Sequence, residues 1–153
     1  MTYYSFSRLI LTPIFFFSWG LNFSFGTTGL ELSKASSSEL QQLAESGDAY
    51  AQAALAIALA NGDRGFPISI IEAEKWARQS ASQKHPIGYF AMGHLSQNPI
   101  LEADSATPGK YFLAAFGDRK GELARTALSG DPIACYALGM ILTSDELRPR
   151  MIP

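Results

Sequence analysis

The sequence predicts an all-α protein built from stacked helix pairs. Three observations carry that reading. The stretch 48–62 is rich in alanine, the best helix former, and is bracketed by Asp48 and by Asn61-Gly62. Its pattern returns twice, at His85–Gly93 and at Asp131–Gly139. Leu55 to Met92 is 37 residues and Met92 to Leu138 is 46, a period in the range of helical arrays. A lone helix pair cannot bury its apolar face, so such pairs stack.

The chain in order supports this. Residues 1–26 hold a single charged side chain, Arg8, followed by the apolar run Leu9–Phe17. Ser24-Phe25-Gly26 puts small residues at the −3 and −1 positions of a cleavage site, the layout of a secretory signal. The rival reading is an uncleaved membrane anchor. Leu9–Phe25 is short for a span and is interrupted by Pro13, Gly20 and Asn22. Cleavage after Gly26 leaves 127 residues with a net charge near −3. Residues 27–37 read as a flexible, polar lead-in.

Ser38 with Gln41 resembles a capping box opening a short helix, Glu39–Ser46, that stops at Gly47. Asp63–Pro67 is a loop. Ser69 is placed to cap the next helix, in which Ile70, Ala73, Trp76/Ala77 and Ser80/Ala81 form one apolar stripe. His85-Pro86 opens another helix. A loop with two prolines spans 98–108, Tyr111–Phe116 is apolar, and Glu122–Leu128 is helical up to Ser129-Gly130. Asp131-Pro132 opens the last helix, and 144–153 is an irregular tail.

The repeat resembles the Sel-one-like repeat (SLR) family, a relative of the tetratricopeptide repeat. Ala49, Ala51, Gln52, Leu55, Asn61, Gly62, Gly65, Pro67, Ala73, Trp76, Arg78, Ala81 and His85 fall into its register. Ala134, Tyr136, Leu138 and Gly139 do so in the last copy, and Gly47-Asp48 and Gly130-Asp131 match the repeat junction. The resemblance covers residues 38–143 and implies a right-handed α/α superhelix of about two and a half repeats. The second repeat departs from the pattern. Arg119 and Glu122 stand where Ala73 and Trp76 stand in the first, which makes its second helix degenerate. The third repeat ends after its first helix, leaving an apolar face for a partner or for self-association. With only Cys135, the chain falls outside the family's disulfide-bearing branch and the enzymatic activity suggested for it.

Composition narrows the function. A net charge of −2 with no basic block argues against nucleic acid as the main partner. No Gly-rich phosphate loop, G-x-S-x-G or triad pattern points to a cofactor or a nucleophile. His85 and His94 lie nine apart, not at the i, i+4 spacing of a helical metal pair. Trp76 reads as core. The resemblance implies a non-catalytic scaffold or adaptor, and the signal layout of residues 1–26 predicts that a bacterium exports it to the periplasm or beyond. Its partner would be another protein, with no stable membrane insertion after signal cleavage. The alternatives are a cell-wall hydrolase and a self-assembling structural subunit. In tetratricopeptide-like arrays the first helix of each pair lines the concave side. That maps a partner-binding strip onto Tyr50, Ala53 and Ile57, then Ile87, Phe90, His94 and Gln97, then Ile133, Tyr136 and Met140. The competing reading puts Phe90 and Tyr136 in the inter-repeat core. Exposure of Tyr50, Phe90 and His94 decides between them.

Overall fold

Local chemistry sets the helix boundaries, and a computed structural model shows how the helices assemble. It describes residues 27–101, 108–117 and 121–144. Among these are eight helices: α1 (Gly29–Lys34), α2 (Ser37–Glu45), α3 (Ala49–Asn61), α4 (Ile70–Ser82), α5 (Pro86–Leu95), α6 (Pro108–Gly117), α7 (Glu122–Leu128) and α8 (Pro132–Thr143). A 3-10 turn, Asp63–Gly65, links α3 to α4. The described residues contain no strand, and from α2 to α8 each helix packs on its chain neighbour, as in an α-solenoid. The expected signal, 1–26, and the tail from 145 onward lie outside the described residues. No described helix is long and apolar enough to cross a membrane.

The period of the sequence has a backbone counterpart. Gly47, Lys84 and Gly130 each end a helix with a positive φ (97°, 60° and 89°). At each, the N–H reaches back three residues and the next residue's N–H reaches back five: Asp48 to Leu43, His85 to Ser80 and Asp131 to Thr126. This is the Schellman closure of a helix end. The three junctions enter α3, α5 and α8 in one geometry, 37 and 46 residues apart. Lys84 holds, with a side chain, a conformation that glycine takes without steric cost.

Behind the junctions the helices close in. Ala51, Ala53, Ala56, Ala73 and Ala77 are fully buried, so the alanines are contact surface rather than filler. Ser80 Oγ donates to the Ala49 carbonyl at 2.6 Å, tying α4 to α3. The buried Gln52 donates to the Ala44 carbonyl and accepts from Gln83 Nε2 at 2.8 Å, so it pins the ends of α2 and α4 together. Trp76 is half-buried at the edge of the core, not enclosed in it; the buried face of α4 is Ala73, Ala77 and Ser80. Its truncation therefore costs less than the roughly 3–5 kcal/mol of an enclosed aromatic.

Three expectations are corrected. The lead-in 27–37 is not flexible along its length: 29–34 form α1 and 37 already belongs to α2. Each of these helices opens on a capping box, Thr28 with Glu31 and Ser36 with Glu39, so the expected Ser38 cap shifts by two residues. The backbone N–H groups of Thr28 and Ser36, then their hydroxyls, hold the Glu31 and Glu39 carboxyls below the usual range. The third correction concerns the partner of α5. The sequence register put it around Arg119, which lies outside the described residues, and Glu122, with Tyr111, Phe112, Leu113 and Phe116 as substitutes for the missing tryptophan; α6, which carries those four, takes that place. Phe112 is buried there and stacks on Phe90 at 6.0 Å. A Cβ on Gly93 would sit 2.6 Å from the Phe112 ring, so Gly93 makes the close approach possible. Glu122 opens α7, a separate helix that pairs with α8.

Replacing Lys84 by glycine removes about 1–2 kcal/mol of left-handed strain and adds about 0.4–1 kcal/mol of unfolded-chain entropy. The expected net gain is about 0.5–1 kcal/mol in urea unfolding, whereas Gly47→Ala and Gly130→Ala lose stability. A loss on Lys84→Gly of the same size as those two would contradict the shared junction geometry.

Candidate functional site: the face crossed by helix α1

The expected strip runs along α3, α5 and α8, and α1 lies across it. Asp131 holds α1 there. As the N-cap of α8 its Oδ1 accepts the N–H groups of Ile133 and Ala134, both at 3.0 Å. The same oxygen accepts the Tyr50 hydroxyl of α3 at 2.6 Å. Its Oδ2 accepts the Gly29 N–H at 2.7 Å, across 102 residues of chain. A Cβ on Gly29 would lie 2.0 Å from Asp131 Oδ1, so only glycine brings its backbone this close. At the other end of α1, Arg64 Nη1 donates to the carbonyls of Leu32 and Ala35, at 2.6 and 3.0 Å. Between these ties Leu32 is 0 % exposed.

Two openings flank α1. One, of about 460 Å³, is lined by Thr27, Leu30, Tyr50, His85, Glu122, Thr126 and Asp131 among others. The other, of about 300 Å³, lies between α3 and α8 and is lined by Ser33, Ala54, Ile57, Arg64, Ile133 and Tyr136 among others.

The first opening gathers ionisable side chains, and their bonding shows what they do. Burial, and next the bond to Asp131, pushes the Tyr50 hydroxyl far above the ordinary phenol range, so it remains a donor. The bonds to Asp131 all come from donors that keep their protons, so the carboxylate acts as a tie. The His85 ring packs on Tyr50 with centroids 4.8 Å apart. Cys135 is exposed, and its Sγ donates to the Ala127 carbonyl at 3.2 Å. Among the described residues no group of His, Cys, Asp and Glu is arranged to hold a metal.

The predicted strip divides. Tyr50, Ala53, Ile87 and Phe90 are core, so the strip as drawn is not a surface. Phe90 is enclosed because rings surround it: Phe112 on one side, His94 at 5.9 Å, and Tyr136 edge-on at 5.8 Å. Tyr50 is covered because its hydroxyl turns inward to Asp131. Ile57, Ile133 and Tyr136 do converge, on the 300 Å³ opening, and Tyr136 is 42 % exposed. His94 is half-buried, Gln97 and Met140 are exposed, and none of the three lines that opening. Sequence reasoning missed Gly29, Leu32, Arg64 and the second role of Asp131. One signal was present: Thr28-x-x-Glu31 has the same capping-box form as Ser36-x-x-Glu39.

A scan against protein-family models, a search of curated proteins and a search of solved structures find no match to this chain.

Removing Asp131 leaves α8 uncapped and strands the Tyr50 hydroxyl and the Gly29 N–H. Asp131→Ala is expected to cost about 3–5 kcal/mol, and Tyr50→Phe about 1 kcal/mol. Equal and small losses in chemical denaturation would show that the tie carries no weight. His94 gives a pH test. Burial holds its pKa below the ordinary histidine value, and its Nδ1 has no hydrogen-bond partner among the described residues. The folded state then takes up this proton less readily than the unfolded chain. Stability is full above about pH 6.5, the ordinary value, and falls as pH drops from there through the lower folded value. His94→Gln is expected to flatten the slope that sets in as pH falls below about 6.5. An unchanged slope would assign it to other groups.

Proposed function

We propose that this chain is a non-catalytic interaction scaffold of the solenoid-repeat class that its sequence resembles, exported by a bacterium to the periplasm or beyond. Its partner is another protein, which lays a helix or an extended segment beside α1 in the opening between α3 and α8. The observation that carries the reading is α1 itself. A short amphipathic helix already lies on this face, with a leucine buried and its ends tied by a carboxylate and a guanidinium. The opening next to it adds an apolar floor of Ala54, Ile57, Ile133 and Tyr136 with Asp63 and Arg64 at the rim. Apolar anchors within a charged rim suit a helix or peptide. Tyr50 and Asp131 of the other opening are engaged in structural bonds, which favours binding over hydrolysis.

A second reading has its own observation. Gly139 of α8 stands at the register of Gly93 of α5, where Phe112 packs; no described residue occupies the corresponding space around Gly139. Tyr136, Met140 and Leu142 are exposed on the same helix, and Leu128 of α7 is 86 % exposed. That face suits self-association, and concentration-dependent sedimentation of the wild type against Leu142→Glu tests it.

The scaffold reading is tested by capture from an extract of the exporting cell. The bait is the chain from Thr27 onward, compared with an Ile57→Asp/Tyr136→Ala variant whose melt is checked first. Loss of one or more specific partners from a folded variant is the expected result. An unchanged partner profile rejects the opening as the binding site.

A further inference from the structure

The expected cut, between Gly26 and Thr27, falls beside a carboxylate. The Thr27 backbone nitrogen lies 3.3 Å from Asp48 Oδ2. Asp48 Oδ1 is engaged in capping α3, accepting the Ala51 N–H at 2.7 Å. The Thr27 hydroxyl oxygen is buried and bonds nothing among the described residues, so this residue is set into the protein, not out in solvent. Two residues later the Gly29 N–H meets Asp131. Asp48 and Asp131 cap equivalent helices, α3 and α8, and each turns its second oxygen toward the segment that enters α1.

We propose that Gly26–Thr27 is a processing site whose product is a lock: the new α-ammonium of Thr27 pairs with the Asp48 carboxylate and fastens α1 across the array. A peptidase and water supply the step. The C–N bond of the Gly26–Thr27 amide breaks, hydroxide equivalent goes to the Gly26 carbonyl carbon and hydrogen to the Thr27 nitrogen. The released carboxylic acid gives up a proton and the amine takes one. Before the cut, the Thr27 nitrogen is a neutral amide with one hydrogen. After it, the same atom is a cation with three, already within reach of Asp48. Charge-assisted bonds of this type are shorter and stronger than neutral ones. Export then does two things: it removes the leader and completes the anchor of the first helix. The inference rests on the export reading and not on the scaffold reading, because partner binding does not enter its test.

The test has two parts. The full chain, expressed in a bacterium that exports it, is recovered and its mass measured; a terminus at Thr27 is expected, and any other terminus overturns the proposal. Chains beginning at Thr27 and at Gly26 are then released from a fusion, each with the native Asp48 or with the substitution Asp48→Asn. Asparagine caps a helix about as well as aspartate, so the variant removes the charge and keeps the cap. One added residue carries the ammonium about 3.8 Å along the chain. With Asp48 present, the Gly26 chain is expected to melt about 2–4 °C below the Thr27 chain. With the charge removed by Asp48→Asn, the two chains are expected to differ by less than about 1 °C. A positive terminus near the start of α1 opposes the helix dipole, but that effect is common to both backgrounds and cancels in the cycle. Equal shifts in the two backgrounds overturn the lock.

Discussion

The Asp131 carboxylate joins two tasks that usually fall to separate residues. It ends the coil before α8 as an N-cap, and it ties α8 to Tyr50 of α3 and to Gly29 of α1. A buried carboxylate without partners is expensive, so the site requires all of its donors at once. That requirement propagates outward. Gly29 has to be glycine to approach, Tyr50 has to turn inward, and α1 has to cross the array to deliver its N–H. The face that a stack of helix pairs would leave open is covered in part by the chain's own first described helix.

Much of the fold was legible in the sequence because it is local. Alanine spacing marks α3, and Gly-Asp at 47–48 and 130–131 marks two of the three junctions. The third was harder to see, since Lys84 takes the position of the glycines. The register, carried forward by counting, put the partner of α5 at 119–122, whereas the apolar run around Phe112 was the better guide. Packing followed volume: Phe112 fills the space above Gly93.

The candidate site was less legible, for a physical reason. The predicted strip took the concave positions of each helix as surface, but whether they are surface depends on what lies over them. Ile57 and Tyr136 border an opening, while Tyr50 and Phe90, on the same helices or between them, are enclosed. Contacts separated by 81 and 102 residues made that difference. Neither helical periodicity nor composition contains them. The polar, glycine-bearing 27–37 stretch looked mobile because glycine commonly signals flexibility; here Gly29 supplies close approach, and the capping box at Thr28 was the better guide.

The central claim, that Asp131 holds α1 across the array, is tested most directly by amide hydrogen exchange at Gly29. If the bond to Asp131 Oδ2 persists in solution, the Gly29 N–H exchanges slowly, with a protection comparable to that of the Ala51 and Ala134 amides, which the Asp48 and Asp131 carboxylates cap. Exchange at Gly29 near the rate of an unstructured chain, while those two amides remain protected, would mean that α1 is not held and that the face between α3 and α8 stands open.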